Sequence, residues 1–381
     1  MSAAAGGGFD VPVPLDEYPV HQVPLSMAYV ATSDRNAYDR CYVNAHDHTG
    51  ELFCVTGLGV YPNLGVSDAF VTVMRSGRQS TLQLSGVLGE DRLDQQVGPY
   101  RIEVVEPLRR LRLLCEPGAL GIGLDLVWTG SFPAVDEPLH TMRAGGRVIV
   151  EGARFAQVGT CEGIVHLDGE DYRLGPGSST GTRDRSWGIR PVGEGEPAGR
   201  AAAEPMEGFG FWWTYVPLRF EDFAIVVIAQ EDGDGTRTAA EAVRVWPTDS
   251  GRPPEQLGWA EIDVRYRSGT RLPSGARITM RRRATPTVVD IDTLGYVLLN
   301  AGPGYNGDPS WSHGRWLGPG SAERVDADLS DPALEGQTAF GVIDHVARAT
   351  CDGQVGYGLF EHASFGRHEP SGFAGWDSVA T

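Results

Sequence analysis

Residues 121–130 read GIGLDLVWTG, with Ile122, Leu124, Leu126 and Trp128 at every second position and Gly123, Asp125 and Val127 between them. A period of two puts the apolar set on one face of an extended strand and the remainder on the other. A helix needs apolar residues every three or four positions, which this stretch lacks. Upstream, YRIEVVEPLRRLRLLCEPG (Tyr100–Gly118) and AFVTVMRSGRQSTLQLSGVL (Ala69–Leu88) repeat the strand signal, the latter around a Ser76-Gly77 turn. Downstream, TCEGIVHLDGEDYRL (Thr160–Leu174) turns at Asp168-Gly169, residue types that tolerate positive φ. In the second half, GWAEIDVRYRSG (Gly258–Gly269) sets Ala260, Ile262, Val264 and Tyr266 against Glu261, Asp263, Arg265 and Arg267. Helical signals are confined to short pieces such as SDPALEGQ, where Ser330 is placed to cap. Many short strands with glycine turns predict an all-β protein of antiparallel sandwiches or barrels rather than alternating βαβ units.

A chain of 381 residues exceeds one ordinary core, since single cores stop growing near about 250–300 residues. Two β-barrel domains in tandem are expected: a flexible N-terminal arm at 1–28, a barrel over 29–191, a Gly-, Pro-, Ala- and Glu-rich linker or mobile loop over 192–208, and a second barrel over 209–381. The formal charge of −18 opposes nucleic acid and anionic membrane surfaces. All 32 basic residues are arginine, which excludes Schiff-base and P-loop lysine chemistry. No cofactor motif is present. Cys41, Cys54, Cys115, Cys161 and Cys351 are odd in number and widely spaced, so buried thiols are expected rather than a disulfide framework or a zinc knuckle. Without a signal segment or an apolar run of about 18 residues, the sequence reads as cytoplasmic, with no stable membrane insertion.

The succession YPNLGVSDAF, VGPYRIEVVEPLRRLRL, RFAQVGTCEGIVHLDGEDYRL, GTRDRSWGIRP and VGYGLFEHASFG, spread over residues 30–370, resembles the tandem lipocalin-like proteins related to carotenoid 1,2-hydratases and the AttH-like group. The resemblance implies two calycin-like barrels with few short helices and a cavity for a hydrophobic ligand. In the hydratase branch it implies acid-catalysed addition of water to an isoprenoid double bond. That branch carries a His-x-Trp pair in the central motif. Here the matching positions are Arg185, Ser186 and Trp187, so the tryptophan is kept and the histidine is replaced by a group that donates no proton near neutral pH.

The central motif GTRDRSWGIRP (Gly181–Pro191) places Arg183, Arg185 and Trp187 on one strand face and Asp184 and Ser186 on the other. It reads first as an ion-paired lock between the domains, because buried charges are tolerated when paired, and second as a seat of acid catalysis by Asp184. Glu361 and His362, in LFEHASFG, supply another acid and base. Arg185, Trp187, Arg190, Trp213 and Tyr215 are the candidate ligand-binding residues. The last two lie in FGFWWTYVPLRFEDF, where Phe209, Phe211, Trp213 and Tyr215 alternate with Gly210, Trp212 and Thr214. Either one face of that strand lines a cavity and the other packs between the barrels, or the whole strand is structural core. His46 and His48 in NAHDHTG share a face, but no third ligand is visible, so a hairpin turn is preferred and no metal is expected. GSSTG (Gly177–Gly181) lacks the helix of a nucleophile elbow, and EDGDG (Glu231–Gly235) lacks the closing glutamate of a calcium loop. The leading expectation is a protein that binds a hydrophobic small molecule of isoprenoid, steroid or fatty-acyl type. The alternative is a hydratase, isomerase or cyclase acting on an alkene.

Overall fold

The computed structural model describes residues 12–144, 147–195, 208–282, 284–305, 307–336, 338 and 341–381. Their strands form two antiparallel sheets, each curled as a half-barrel, in the expected all-β lipocalin-like architecture. In the first sheet, hydrogen-bonded neighbours follow the order Ser321–Asp328, Arg78–Val87, Val66–Arg75, Leu52–Tyr61, Ala37–Asp47, Ser179–Ile189, Arg147–Leu167, Ile122–Gly130, Arg110–Cys115, Tyr100–Glu106 and Gln96–Val97. Val135–Asp136, His140–Ala144 and Glu170–Leu174 pair with the long 147–167 strand. The second sheet runs Glu255–Gln256, Arg237–Val245, Ala224–Asp232, Gly210–Arg219, Gln354–Gly366, Ile343–Cys351, Thr287–Leu298, Pro273–Met280 and Ala260–Tyr266.

Burial divides into three main cores. Ile122, Leu124, Leu126 and Trp128 all turn into the hollow of the first sheet, as their period of two requires, and pack there with Val43, Val71 and Leu113. A second core fills the hollow of the other sheet around Phe220, Ile278 and Phe360. The third lies between the sheets, where Tyr42, Phe53 and Phe70 of the first meet Trp213, Tyr215 and Val226 of the second. Both hollows are therefore filled with side chains, and the space between the sheets is where a site has to be sought. All five cysteines are buried and free, as expected.

The turns follow their residue types. Ser76 and Gly77 sit at φ 50° and 75°, and Asp168 and Gly169 at 53° and 85°, the paired positive values of a primed hairpin. A short α-helix spans Pro332–Gly336, but its cap is not Ser330. Asp331 Oδ1 accepts from the Ala333 N–H at 2.9 Å, while the Ser330 hydroxyl donates to Asp328. A carboxylate directly before Pro332 outcompetes a hydroxyl one residue too early. Strand structure begins at Ala37. Before it, Asp16 gathers the segment after residue 12 by accepting from Val13 N–H at 2.6 Å, Met27 N–H at 2.7 Å and the Ser26 hydroxyl at 2.7 Å. Of the expected 192–208 linker, residues 196–207 lie outside the described residues. Among the described residues no helix is long and apolar enough to cross a membrane.

Candidate functional site

Three neighbouring strands of the first sheet build the floor of a cavity. Strand 179–189 pairs with 37–47 on one side and with 147–167 on the other, and the registers align their side chains in rows. Tyr42, Asp184 and Ala156 form one row; Arg40, Ser186 and Arg154 form the next; Tyr38, Gly188 and Gly152 the third. Rows on one face are two residues apart, about 6.8 Å. Over this floor the second sheet lowers a wall of Phe209, Phe211, Trp213 and Phe365, with Glu361 beside them. The space between floor and wall is about 370 Å³.

The charges around this cavity are arranged unequally. Arg154 is held by Glu137, with Nε–Oε2 at 2.5 Å, and its guanidinium stacks on Trp213 at 5.2 Å and Tyr215 at 4.7 Å. Asp184 has no such partner: among the described residues no arginine lies within ion-pair distance of it, because Arg183 is taken by Gln157 Oε1 at 2.9 Å and Arg185 by Asp39 at 3.0 Å. Burial pushes the Asp184 carboxyl up from 3.8 to about 6, Glu361 adds repulsion, and Arg154, Arg40 and Arg190 pull it back. Burial likewise raises Glu137 to about 7 despite Arg154. Glu361 accepts from Trp213 Nε1 at 2.5 Å and lies directly opposite Asp344 across the strand pair. Asp344 is fully buried, accepts from the Tyr42 hydroxyl, and is driven well above the carboxylate range by burial and by the Glu361 charge. Glu361 thus faces Asp344 across the strand pair, and the Tyr42 hydroxyl of the first sheet donates to Asp344 of the second, which ties the two sheets together here.

Among the sequence-derived candidates, Asp184, Arg190, Trp213 and Glu361 meet at the cavity. The motif splits by face as expected, with one correction. Asp184 is not ion-paired to its neighbours, because they point to the opposite face: Arg183 lies buried over Trp128 at 4.9 Å, and Arg185 bonds Gln95 as well as Asp39. Arg185 and Trp187 therefore lie away from the cavity, Trp187 being 43% exposed. Tyr215 lies beyond the cavity wall, against Arg154. His362 faces the other way, into the second sheet, between Thr214 Oγ1 at 3.2 Å and the Tyr266 hydroxyl at 2.9 Å. The face of strand 210–219 opposite the cavity also corrects expectation: Trp212 packs against His362 and His368 inside the second sheet, and it is the cavity face that looks between the sheets.

His46 and His48 are occupied structurally. His46 sits edge-on to Phe53, His48 stacks on Tyr357 at 3.8 Å, and Asp47 closes the turn by accepting from Thr49, Gly50 and Glu51. Among the described residues no group of three or more His, Cys, Asp or Glu could hold a metal ion. The sequence reading missed Arg40, Glu137, Arg154 and Asp344. The signal for Arg40 was the alternation of Tyr38, Arg40 and Tyr42, which places a cation between two aromatics on one strand face.

A family model described as "Family of unknown function (DUF8625)" matches residues 13–374. No curated protein matches the chain. Among solved structures it is similar to a protein described as an AttH (NE1406) from Nitrosomonas europaea, with 16% identity and a TM-score of 0.52 over 92% of this chain and 98% of that one. It is also similar to kievitone hydratase from Nectria haematococca, with 13% identity and a TM-score of 0.47 over 89% and 90%. A further likeness is to CghA, with 12% identity and a TM-score of 0.49 over 87% and 89%. At 16% identity the NE1406 likeness shows a shared fold.

Proposed function

The chain belongs to the family of unknown function DUF8625, and from the cavity between its two sheets we propose that it binds a hydrophobic small molecule of isoprenoid, steroid or fatty-acyl type. One observation carries this reading: both sheet hollows are filled, yet about 370 Å³ between the sheets stays open beside a wall of aromatic rings. That volume falls in the range of small-molecule sites, about 300–1,000 Å³. The test is native mass spectrometry after incubation with a lipid extract. A 1:1 apolar adduct is expected for the wild type, and its loss in Ala239→Trp, which fills the cavity from its wall. An unliganded wild type, or equal binding by the filled variant, contradicts the reading.

A second reading, acid catalysis on a bound alkene, is favoured by the orientation of Asp184 into the cavity without an ion-pair partner. Its proton adds to one alkene carbon and the π pair forms the new C–H bond, leaving a cation at the other carbon. The π-faces of Trp213 and Phe211 lie in the same wall to stabilise that charge. Water then adds and returns a proton to Asp184, or Glu361 removes a proton and the double bond has moved. For an alkene ligand recovered by the first experiment, incubation in deuterated water is expected to give deuterium incorporation. Asp184→Asn is expected to cut its rate by about 10²-fold or more while the adduct persists. The wild-type rate falls as pH rises through about 6, where the acid loses its proton.

A further inference from the structure

Two cations in the cavity wall have no carboxylate within ion-pair distance among the described residues. Arg40 is 7% exposed, its Nη2 has no hydrogen-bond partner, and its guanidinium stands over the Tyr305 ring at 4.9 Å. Arg190 stands over the Tyr38 ring at 5.7 Å. Among the described residues, neither guanidinium donates a side-chain hydrogen bond or lies within ion-pair distance of a carboxylate, whereas Arg154 in the same row as Arg40 is ion-paired through Nε to Glu137. The two also repel each other, and burial together with Arg40 pulls the Arg190 guanidinium below its ordinary value.

The acids nearby are committed elsewhere or set apart. Asp68 is the carboxyl that most attracts Arg40, but it accepts from Gly314 N–H at 2.6 Å and the Tyr61 hydroxyl at 3.1 Å, and burial lifts it to about 7. Asp184 lies one row further along the floor, and Glu361 in the opposite sheet. Glu194, 78% exposed, faces Arg315 at 3.9 Å. Aromatic faces lower the cost of burying a guanidinium but leave its charge uncancelled.

Position adds the second argument. Arg40, Arg190, Tyr305 and His313 line both the inner cavity and an adjoining pocket of about 240 Å³ that reaches the exposed Glu194 and Gly195. An amphiphilic ligand entering this way keeps its charged end near water and passes its apolar body inward, towards Asp184 and the aromatic wall. Resting on the binding role argued above, we propose that Arg40 and Arg190 form an anion subsite at the junction of the two pockets, and that the ligand is an apolar molecule carrying one carboxylate or comparable anion at its outer end. Guanidinium groups suit that task because they are always charged and present paired N–H donors to a planar anion.

Two fluorescent probes test this directly. 8-Anilinonaphthalene-1-sulfonate and its uncharged parent, N-phenyl-1-naphthylamine, share one apolar body and differ by one anion. The wild type is expected to bind the sulfonate about tenfold more tightly than the parent, or better. Arg190→Gln and Arg40→Gln are expected to abolish that advantage while moving the parent's affinity less than about threefold, and Arg190→Lys to keep part of it. Thermal melting of each variant establishes that it is folded, and the wild-type comparison needs no variant at all. Equal wild-type affinity for the two probes overturns the anion subsite and leaves the cavity role standing, as does proportional weakening of both probes in Arg190→Gln. If neither probe binds the wild type, the cavity role falls and the subsite with it.

Discussion

Asp184 is a residue at which stability and chemistry oppose each other. Its carboxyl holds a proton more tightly in the fold, with a pKa of about 6, than at its ordinary value of 3.8. Folding therefore loses stability as pH rises from about 4 to about 6, and above that window the cost of the buried anion is fully present, on the order of 3 kcal/mol. Asp184→Asn removes that cost. Calorimetry is expected to show the variant melting several degrees above the wild type at pH 8 and close to it at pH 4; an equal difference at both pH values would show that no proton is linked to folding at this position. The residue was legible in the sequence because the alternation in GTRDRSWGIRP sends Asp184 and Ser186 to one face. Its freedom from ion pairing was not, because that depends on partners far along the chain. Gln157 takes Arg183, its direct cross-strand partner, while Asp39 takes Arg185 and Glu137 takes Arg154 from neighbouring segments of the sheet.

At the scale of elements, the strands that show a clean period of two were readable and those that bend were not. Ile122–Gly130 and Ala260–Tyr266 lie as their alternation requires. Ser321–Asp328 could not be placed from the sequence, because it leaves its neighbours in the chain and pairs with Arg78–Val87 at the edge of the first sheet. Arg324 fastens it there through Asp168 and the Leu120 carbonyl. Thr287–Leu298 breaks register between Thr293 and Tyr296, where the first sheet touches it. At that bend a Cβ on Gly295 would lie 2.1 Å from the Gly50 carbonyl oxygen and 2.5 Å from Met74 Cε. Gly50 itself sits at φ 76° in the turn after Ala37–Asp47, so neither backbone has room to retreat. Gly295→Ala is accordingly expected to lower stability by about 2–4 kcal/mol in urea unfolding, through backbone overpacking where the sheets meet. A loss below about 0.5 kcal/mol would mean that the sheets separate there at little cost.

For the molecule as a whole, the exterior and the junction of the two pockets differ in electrostatics. The chain carries a formal charge of −18, yet the junction of its two pockets presents Arg40 and Arg190. The acidic surface repels an approaching anion over distances that salt screens well, with a Debye length of about 10 Å at 0.1 M, whereas the enclosed arginines hold it over distances that salt screens poorly. Rate and residence therefore respond differently to ionic strength. Stopped-flow mixing with 8-anilinonaphthalene-1-sulfonate is expected to show association accelerating by about 3–10-fold between about 20 mM and 500 mM salt, with dissociation changing less than about twofold. The uncharged parent probe is expected to show neither effect. Arg190→Gln separates the two contributions: it leaves the salt dependence of association in place, since that belongs to the whole surface, and speeds dissociation, since that belongs to the subsite. If association instead slows with salt, the field at the mouth is set by the local arginines rather than by the net charge.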